Sequence, residues 1–174
     1  TQERVLEIIH ENKQIKGLRT EKGSYAFDLV VSNMDIHYTY EKLLPTIKAP
    51  AFLLKQEKSS SAVVFYWGMQ QSFPELGVHN IFFAADYHAE FRAIFETKTL
   101  SADPTIYIHI SSKVEKQDAP AGKENWFVMV NAPINVGQDW DHEIQLLRTR
   151  ILKKLSQSLG TDIEPLIEVE QINE

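Results

Sequence analysis

The stretch from residue 103 to residue 133 contains two strand-like runs, Asp103-Pro-Thr-Ile-Tyr-Ile-His-Ile110 and Trp126-Phe-Val-Met-Val130. Both runs are rich in β-branched and aromatic residues and are bounded by Pro, Gly, Ser or Asp, which is typical of β-strands. The polar loop between them carries Asp118-Ala-Pro-Ala-Gly122. Because this loop is long enough to join antiparallel neighbours, we predict a hairpin.

Size and composition favour a folded, water-soluble domain. The 174 residues are 43% hydrophobic, which is enough for one well-packed domain with a small appendage. A net charge of -6 argues against a nucleic-acid surface, since phosphate binding needs clustered Lys and Arg. The chain has no cysteine, which excludes disulfides, thiolate metal sites and a cysteine nucleophile.

No apolar run approaches the roughly 20 residues that a membrane span needs. We therefore expect a cytoplasmic protein, with peripheral contact to a membrane as an additional expectation. The chain begins without Met and stops at Ile172-Asn-Glu174, just past a strand-like run. From this we expect a piece of a longer protein.

The N-terminal part predicts a three-strand meander from three short runs separated by compact polar turns: Val5 to His10, Gln14 to Thr20 and Ser24 to Val31. The last run is apolar on both faces over Asp28-Leu-Val-Val31, so we expect it to lie deep in a layered structure. Asp35 is placed to cap the helical segment Ile36 to Leu44. Alternatively, Ser32 to Asp35 lines a ligand crevice at the carboxyl end of a strand. We favour the cap for Asp35.

A change of composition between Lys48 and Ser61 predicts a domain boundary, and we divide the chain into domains at 1–47 and 48–174. In the second domain we predict two strands, Ala62 to Gly68 and His79 to Ala84, followed by a helix, Asp86 to Phe95. The two strands of the hairpin come next, and then a long helix, Gly137 to Leu159, and a final strand, Pro165 to Glu170. We predict an α+β fold with a mixed, mainly antiparallel sheet of about five strands and two helices on one face. The other face of the sheet is then left without helices, and we expect another group to cover it.

The predicted strands are dense in aromatic residues: Phe65, Tyr66, Trp67, Phe82, Phe83, Tyr107, Trp126 and Phe127. For any single member, a place in the core is the favoured interpretation, because aromatic residues prefer strands. Neighbours along a strand point to opposite faces, however, so these rings cannot all face the helices. Some must line the second face, where we expect another domain, a membrane or an apolar ligand.

Motifs for hydrolysis or metal binding are missing from the sequence. Six histidines are scattered, and the chain contains neither G-x-S-x-G nor H-E-x-x-H, neither G-x-G-x-x-G nor a Walker loop. The run Asp139-Trp-Asp-His-Glu143 is read as a helix start whose acids complement the helix dipole, in preference to a metal site. We therefore expect no metal.

Four segments together resemble the carotenoid (phytoene) desaturase family of FAD-dependent oxidoreductases, within the larger group that includes the amine oxidases. They occur in the family's order: Asp28-Leu-Val-Val-Ser-Asn-Met-Asp35, His79-Asn-Ile-Phe-Phe83 followed by Asp86 to Phe95, Asp103-Pro-Thr-Ile-Tyr-Ile108, and Asp118-Ala-Pro-Ala-Gly122. The resemblance implies that 1–47 is the edge of a flavin-binding domain and that 48–174 binds a hydrophobic polyene beside the flavin.

The resemblance also implies site residues. FAD contacts are expected at Ser32, Asn33 and Met34, and substrate contacts at Tyr66, Phe83, Tyr107 and Trp126. The family's glycine-rich motif and its C-terminal flavin-contacting segment are missing, so we expect the complete parent, and not this chain alone, to hold FAD and turn over. The catalytic residues stay unknown. Expected partners are the polyene, the remainder of the flavin domain and a second copy bound through the exposed apolar face.

Other functions stay open at this point. An isomerase or saturase of the same family is hard to separate from a desaturase by sequence. A non-catalytic domain that binds an apolar ligand or a partner would use the same open face, and it predicts an intact gene product without flavin. A peripheral membrane module is a further alternative.

Overall fold

The computed structural model describes residues 2–56 and 59–173, and the chain divides into two compact units, Thr1–Glu57 and Lys58–Glu174. The first unit contains a three-stranded antiparallel sheet in the order β1-β2-β3, with β1 at Val5–Glu11, β2 at Gln14–Thr20 and β3 at Ser24–Ala26. Gly17 in β2 has φ +149°, and a Cβ there would lie 1.9 Å from the carbonyl oxygen of Tyr25. Only glycine therefore allows β2 and β3 to approach this closely.

The third strand is shorter than the sequence predicts. β3 ends at Ala26, and one further backbone bond, from Phe27 N to Lys16 O at 3.2 Å, closes the pairing. Leu29 and Val31 are 78% and 86% exposed, so the expected buried strand over residues 28–31 is wrong. The physical reason is that, within residues 2–56, no strand pairs with this segment.

A short helical segment follows as predicted. It consists of α1 at Ile36–Tyr38, continued by one π-helical turn at Thr39–Leu43. The Asp35 carboxylate accepts a hydrogen bond from the backbone N–H of His37 at 2.9 Å, which confirms the predicted cap. A second short helix, α2, spans Ala51–Leu54.

The second unit is built on a five-stranded sheet in the order β5-β6-β7-β4-β8, in which all neighbours are antiparallel. Its strands are β4 at Ser61–Met69, β5 at His79–Phe82, β6 at Ile106–His109, β7 at Glu124–Ala132 and β8 at Ile167–Asn173. The pairing of β6 with β7 is the predicted hairpin. The predicted α+β class is confirmed, as is the order of strands and helices along the unit.

The longest helix, α4, covers one face of this sheet. It spans Trp140–Leu159, begins at a cap in which Asp139 accepts from the N–H of His142 at 3.2 Å, and ends at Gly160 with φ +66°. Its buried side chains join the inward side chains of the sheet in one core: Ile144, Leu147, Ile151, Leu152 and Leu155 from α4, with Val63, Phe65, Trp67, Ile106, Ile108, Trp126, Val128 and Val130. Burying each large apolar side chain contributes about 1.5–3 kcal/mol, which fixes the helix on the sheet.

Helix α3 is tied to the start of β6. It spans Tyr87–Arg92 and continues as a π-helical turn at Ala93–Thr97. The buried Glu90 carboxylate accepts from both the N–H and the hydroxyl of Thr105, at 2.9 and 2.6 Å. Ile94 is buried, whereas Tyr87 is half exposed and its ring packs on Phe91.

Candidate functional site

The face of the five-stranded sheet that points away from α4 carries apolar and aromatic side chains. Alternation along each strand sends every second residue to this side. We call it the open face, and its large members are Val64, Tyr66, Ile81, Phe83, Tyr107, Phe127, Met129 and Val169. Tyr66 is 42% exposed and Phe83 is 65% exposed, so water reaches the rings. An exposed apolar face of this kind is typical of a binding surface.

The rings of the open face contact one another across strands. The Tyr66 and Phe127 centroids lie 5.5 Å apart at an interplanar angle of 76°, and those of Tyr107 and Phe127 lie 6.4 Å apart. Edge-to-face pairs hold aromatic side chains in fixed orientations. Phe83 continues the surface towards α3, where its ring meets Tyr87 at 6.3 Å. The result is a preformed apolar platform.

Of the four residues predicted to contact substrate, three lie on the open face and one does not. Tyr66, Phe83 and Tyr107 point outward. Trp126 is 1% exposed and belongs to the core, where its ring lies 4.9 Å from Phe73. Its predicted place on the outward face is wrong, because the register that pairs Trp126 with Trp67 turns both indoles inward.

The neighbouring Phe127 takes the outward place instead. The sequence contains a signal for this: Asn125 and Asn131 have the same parity as Phe127 and Met129, and polar residues mark the solvated side of an antiparallel strand. Val128 and Val130 have the opposite parity and are buried. Reading alternation over the whole of β7 would have identified Phe127.

Sequence reasoning also missed a polar cluster at the edge of the open face. His79 Nδ1 and Tyr107 Oη are 2.8 Å apart and share a hydrogen bond. The rings of His79 and His109 are stacked with centroids 5.0 Å apart. These residues are far apart in sequence, and only the register between β5 and β6, which places His79 opposite His109, brings them together.

The predicted FAD-contacting residues lie on the exposed segment after β3. The Ser32 hydroxyl accepts from the backbone N–H of Met34 at 3.3 Å and shares a hydrogen bond with the Thr39 hydroxyl at 2.9 Å. These bonds define the backbone turn, while Asn33 and Met34 are exposed. Their contact with a flavin stays a prediction.

No group of three or more His, Asp or Glu side chains within residues 2–56 and 59–173 is arranged to hold a metal ion. In the same part of the chain, no helix combines the length and the apolar character required to cross a membrane.

Comparison with known proteins connects this architecture to one family. No protein-family model matches the chain. The chain is 51% identical over 168 residues to a 1-hydroxycarotenoid 3,4-desaturase of Flavobacterium, covering 97% of this chain and 34% of the relative. It is 34% identical to the phytoene desaturase of Fusarium fujikuroi (84% of this chain, 29% of the relative) and 32% identical to a zeta-carotene-forming phytoene desaturase of Myxococcus xanthus (94% and 32%).

Two solved structures share the fold. An oxidoreductase from Methanosarcina mazei matches with a TM-score of 0.53 at 12% identity, over 99% of this chain and 37% of the other. A protein from Pyrococcus furiosus matches with a TM-score of 0.57 at 17% identity, again over 99% and 37%. The chain spans about a third of the length of the curated relatives that it matches. By its sequence, the chain is similar to one part of the carotenoid (phytoene) desaturases.

Proposed function

We propose that this chain is the substrate-binding part of an oxidoreductase that introduces double bonds into a carotenoid or a related polyene. The observation that carries the proposal is the open face, a preformed platform of rings on a sheet whose sequence is similar to that of the desaturases. A polyene is long, flat and apolar. Such a molecule gains the most from a broad aromatic surface, since burial of apolar area drives its binding.

Desaturation is the reaction that the relatives favour. Eight relatives from bacteria and fungi at 30–51% identity are each named as desaturases, which supports this reaction over isomerisation or saturation. The relative at 51% identity is named for 1-hydroxycarotenoids. We therefore propose that the substrate is a carotenoid that carries a hydroxyl group.

The cofactor of the complete enzyme is proposed to be FAD, which when bound takes hydride from a saturated carbon–carbon unit while a proton is also lost. The exposed apolar segment of the first unit fits an edge that other groups cover, since Phe27, Leu29 and Val31 all face solvent. Ser32, Asn33 and Met34 directly follow this segment and are the residues proposed to contact the flavin. A glycine-rich phosphate cradle is not part of the sequence.

We propose that residues 1–47 form the edge of the flavin domain and that residues 48–174 form the substrate domain. The division of the chain into two compact units supports this assignment. Along the sequence, the first unit ends at Glu57 and the second begins at Lys58, within ten residues of the proposed boundary. The open face belongs wholly to the second unit.

The test is to purify the intact gene product and to record its visible spectrum and its activity on polyenes in liposomes. Flavin bands and a product with a longer conjugated system are expected. Phe83→Ser should raise KM about tenfold with a smaller change in kcat, because it removes ground-state binding surface. Val136→Ser, at an exposed apolar residue off the open face, is the matched control. A colourless protein that cannot be reconstituted with FAD would overturn the proposal.

A further inference from the structure

The cluster of His79, Tyr107 and His109 is the polar exception on an apolar surface. His79 is exposed at the edge strand β5, and Tyr107 and His109 are half-buried on β6. Tyr107 lies directly opposite Ile81, and its ring also contacts Phe127 at 6.4 Å. A ligand that covers Ile81 and Phe127 would therefore also cover the hydrogen-bonded pair of His79 and Tyr107.

The pair offers one donor and one acceptor in either tautomer. When the Tyr107 hydroxyl donates to Nδ1, the His79 Nε2–H remains a donor and the Tyr107 oxygen keeps an acceptor lone pair. When Nδ1–H donates to Tyr107, the Tyr107 hydroxyl becomes the donor and Nε2 the acceptor. A hydroxyl group carries the same combination, so it can bond to either member of the pair whichever tautomer is present.

His109 fixes the orientation of this pair. Its ring stacks on His79 with an interplanar angle of 20°, while the Tyr107 ring lies nearly parallel to His79 at 6.1 Å and 19°. The His79 ring is thus held by Tyr107 and by His109. A hydrogen-bonding group that is already oriented gives a larger gain on binding, because less conformational freedom is lost.

We infer that His79 and Tyr107 form a polar subsite that binds a hydroxyl group of the polyene, with His109 as a positioning residue. The inference rests on the proposed function. A polyene hydrocarbon on the same surface would take water away from the pair without replacing its hydrogen bonds. Sites built for a hydroxyl reject the analogue that lacks it for this reason.

The experiment compares kcat/KM of the intact gene product for a hydroxylated polyene and for the matching hydrocarbon, in the same liposomes. We expect the wild-type protein to prefer the hydroxylated polyene by roughly tenfold or more. Tyr107→Phe should bring the ratio close to one, and His79→Ala should change it in the same direction. Equilibrium binding of both polyenes, followed by quenching of tryptophan fluorescence, should show the same change in preference.

Two matched controls separate this role from a structural one. Tyr25→Phe removes another hydroxyl that bonds a side chain, Glu3, but lies in the first unit. His88→Ala removes an exposed histidine on α3. Neither change should alter the ratio, and thermal unfolding verifies that every variant is folded.

The outcomes distinguish the two proposals. A gene product that holds flavin and converts both polyenes with equal kcat/KM would overturn the hydroxyl subsite alone. The same holds if Tyr107→Phe and His79→Ala lower both values equally and leave the ratio unchanged. A gene product without flavin that converts neither polyene would overturn the proposed function, and the subsite with it.

Discussion

Glu124, at the start of β7, is a buried carboxylate whose two oxygens both accept hydrogen bonds. Its Oε1 accepts from Lys113 Nζ at 2.6 Å and from the N–H of Phe73 at 3.0 Å, and its Oε2 accepts from Trp126 Nε1 at 2.9 Å. Lys113 in turn donates to the carbonyl of Phe73 at 2.5 Å. The Glu124–Lys113 pair thus holds the loop after β4, which contains Phe73, and the turn after β6 against one end of the sheet.

Replacing Lys113 tests how much this buried pair matters. Lys113→Met should lower the free energy of unfolding of the second unit by about 2–4 kcal/mol, because it leaves the Glu124 charge buried without a counter-ion. Urea unfolding followed by tryptophan fluorescence is the measurement. It reports on the second unit, since Trp67, Trp126 and Trp140 all belong to it.

The control is a lysine in a similar but exposed pair. Lys123 and Glu168 also approach to 2.6 Å, yet their side chains are 34% and 44% exposed. Lys123→Met should therefore change the stability by less than about 1 kcal/mol. If Lys113→Met and Lys123→Met lowered the free energy of unfolding equally, the prediction that burial makes the first pair more important would be contradicted.

Individual side chains show where sequence reasoning succeeds and where it stops. The Asp35 cap and the outward positions of Tyr66 and Phe83 follow from local rules of capping and alternation. Trp126 was misplaced because large aromatic residues suit either face, and only the alternation with Asn125 and Asn131 over the whole of β7 marks it as inward. The pairing of His79 with Tyr107 depends on a register that no local pattern encodes.

At the scale of elements, Lys154 joins α4 to the segments that directly follow β5 and precede β6. Its ammonium group donates to the Asp103 carboxylate at 2.7 Å, to the carbonyl of Phe83 at 2.7 Å and to that of Pro104 at 2.9 Å. Asp103 also accepts from the N–H of Ala85 at 2.7 Å. The backbone hydrogen bond from Ala85, reinforced by Lys154, holds the pKa of Asp103 below its usual value.

This lowered pKa predicts a pH dependence of stability. A carboxylate whose folded pKa lies below its unfolded pKa stabilises the fold above the unfolded value, about 3.9, and the contribution is lost as the pH falls through the folded value. Asp103→Asn should lower Tm at neutral pH, and the gap to the wild-type protein should shrink as the pH falls below about 4. Thermal unfolding between neutral and acidic pH checks this.

Asp162→Asn serves as the control, since among the described residues Asp162 accepts one longer bond, from the N–H of Glu164 at 3.3 Å. Its effect on Tm should be smaller at every pH. If the difference in Tm between Asp103→Asn and the wild-type protein widened as the pH fell, the lowered pKa of Asp103 would be contradicted.

Elements differ in how far their sequence defines them. α4 was predictable because its apolar spacing, its Asp139 cap and its Gly160 stop all agree. The segment after Ala26 was not, because an apolar run indicates a buried strand only when the structure supplies a neighbour. Here no strand pairs with the run, and Leu29 and Val31 stay exposed.

For the whole molecule, the open face predicts self-association when no ligand covers it. Sedimentation velocity of the chain should show concentration-dependent association. Ile81→Lys places a charge on an exposed edge-strand residue of this face and should weaken association at least about tenfold. Val136→Lys, off the face, should leave it unchanged. A chain that stays monomeric at all concentrations would contradict this prediction.

Alternation along β4, β6 and β7 has a consequence for how this protein can evolve. One backbone carries two sets of side chains, and the inward set packs against α4 in the core. Substitutions in the outward set can therefore change ligand preference with little effect on the free energy of unfolding. A single-residue insertion in β7 would exchange the two sets and abolish both properties. Lineages of this chain should consequently diversify by replacing residues in these strands and confine changes of length to the loops.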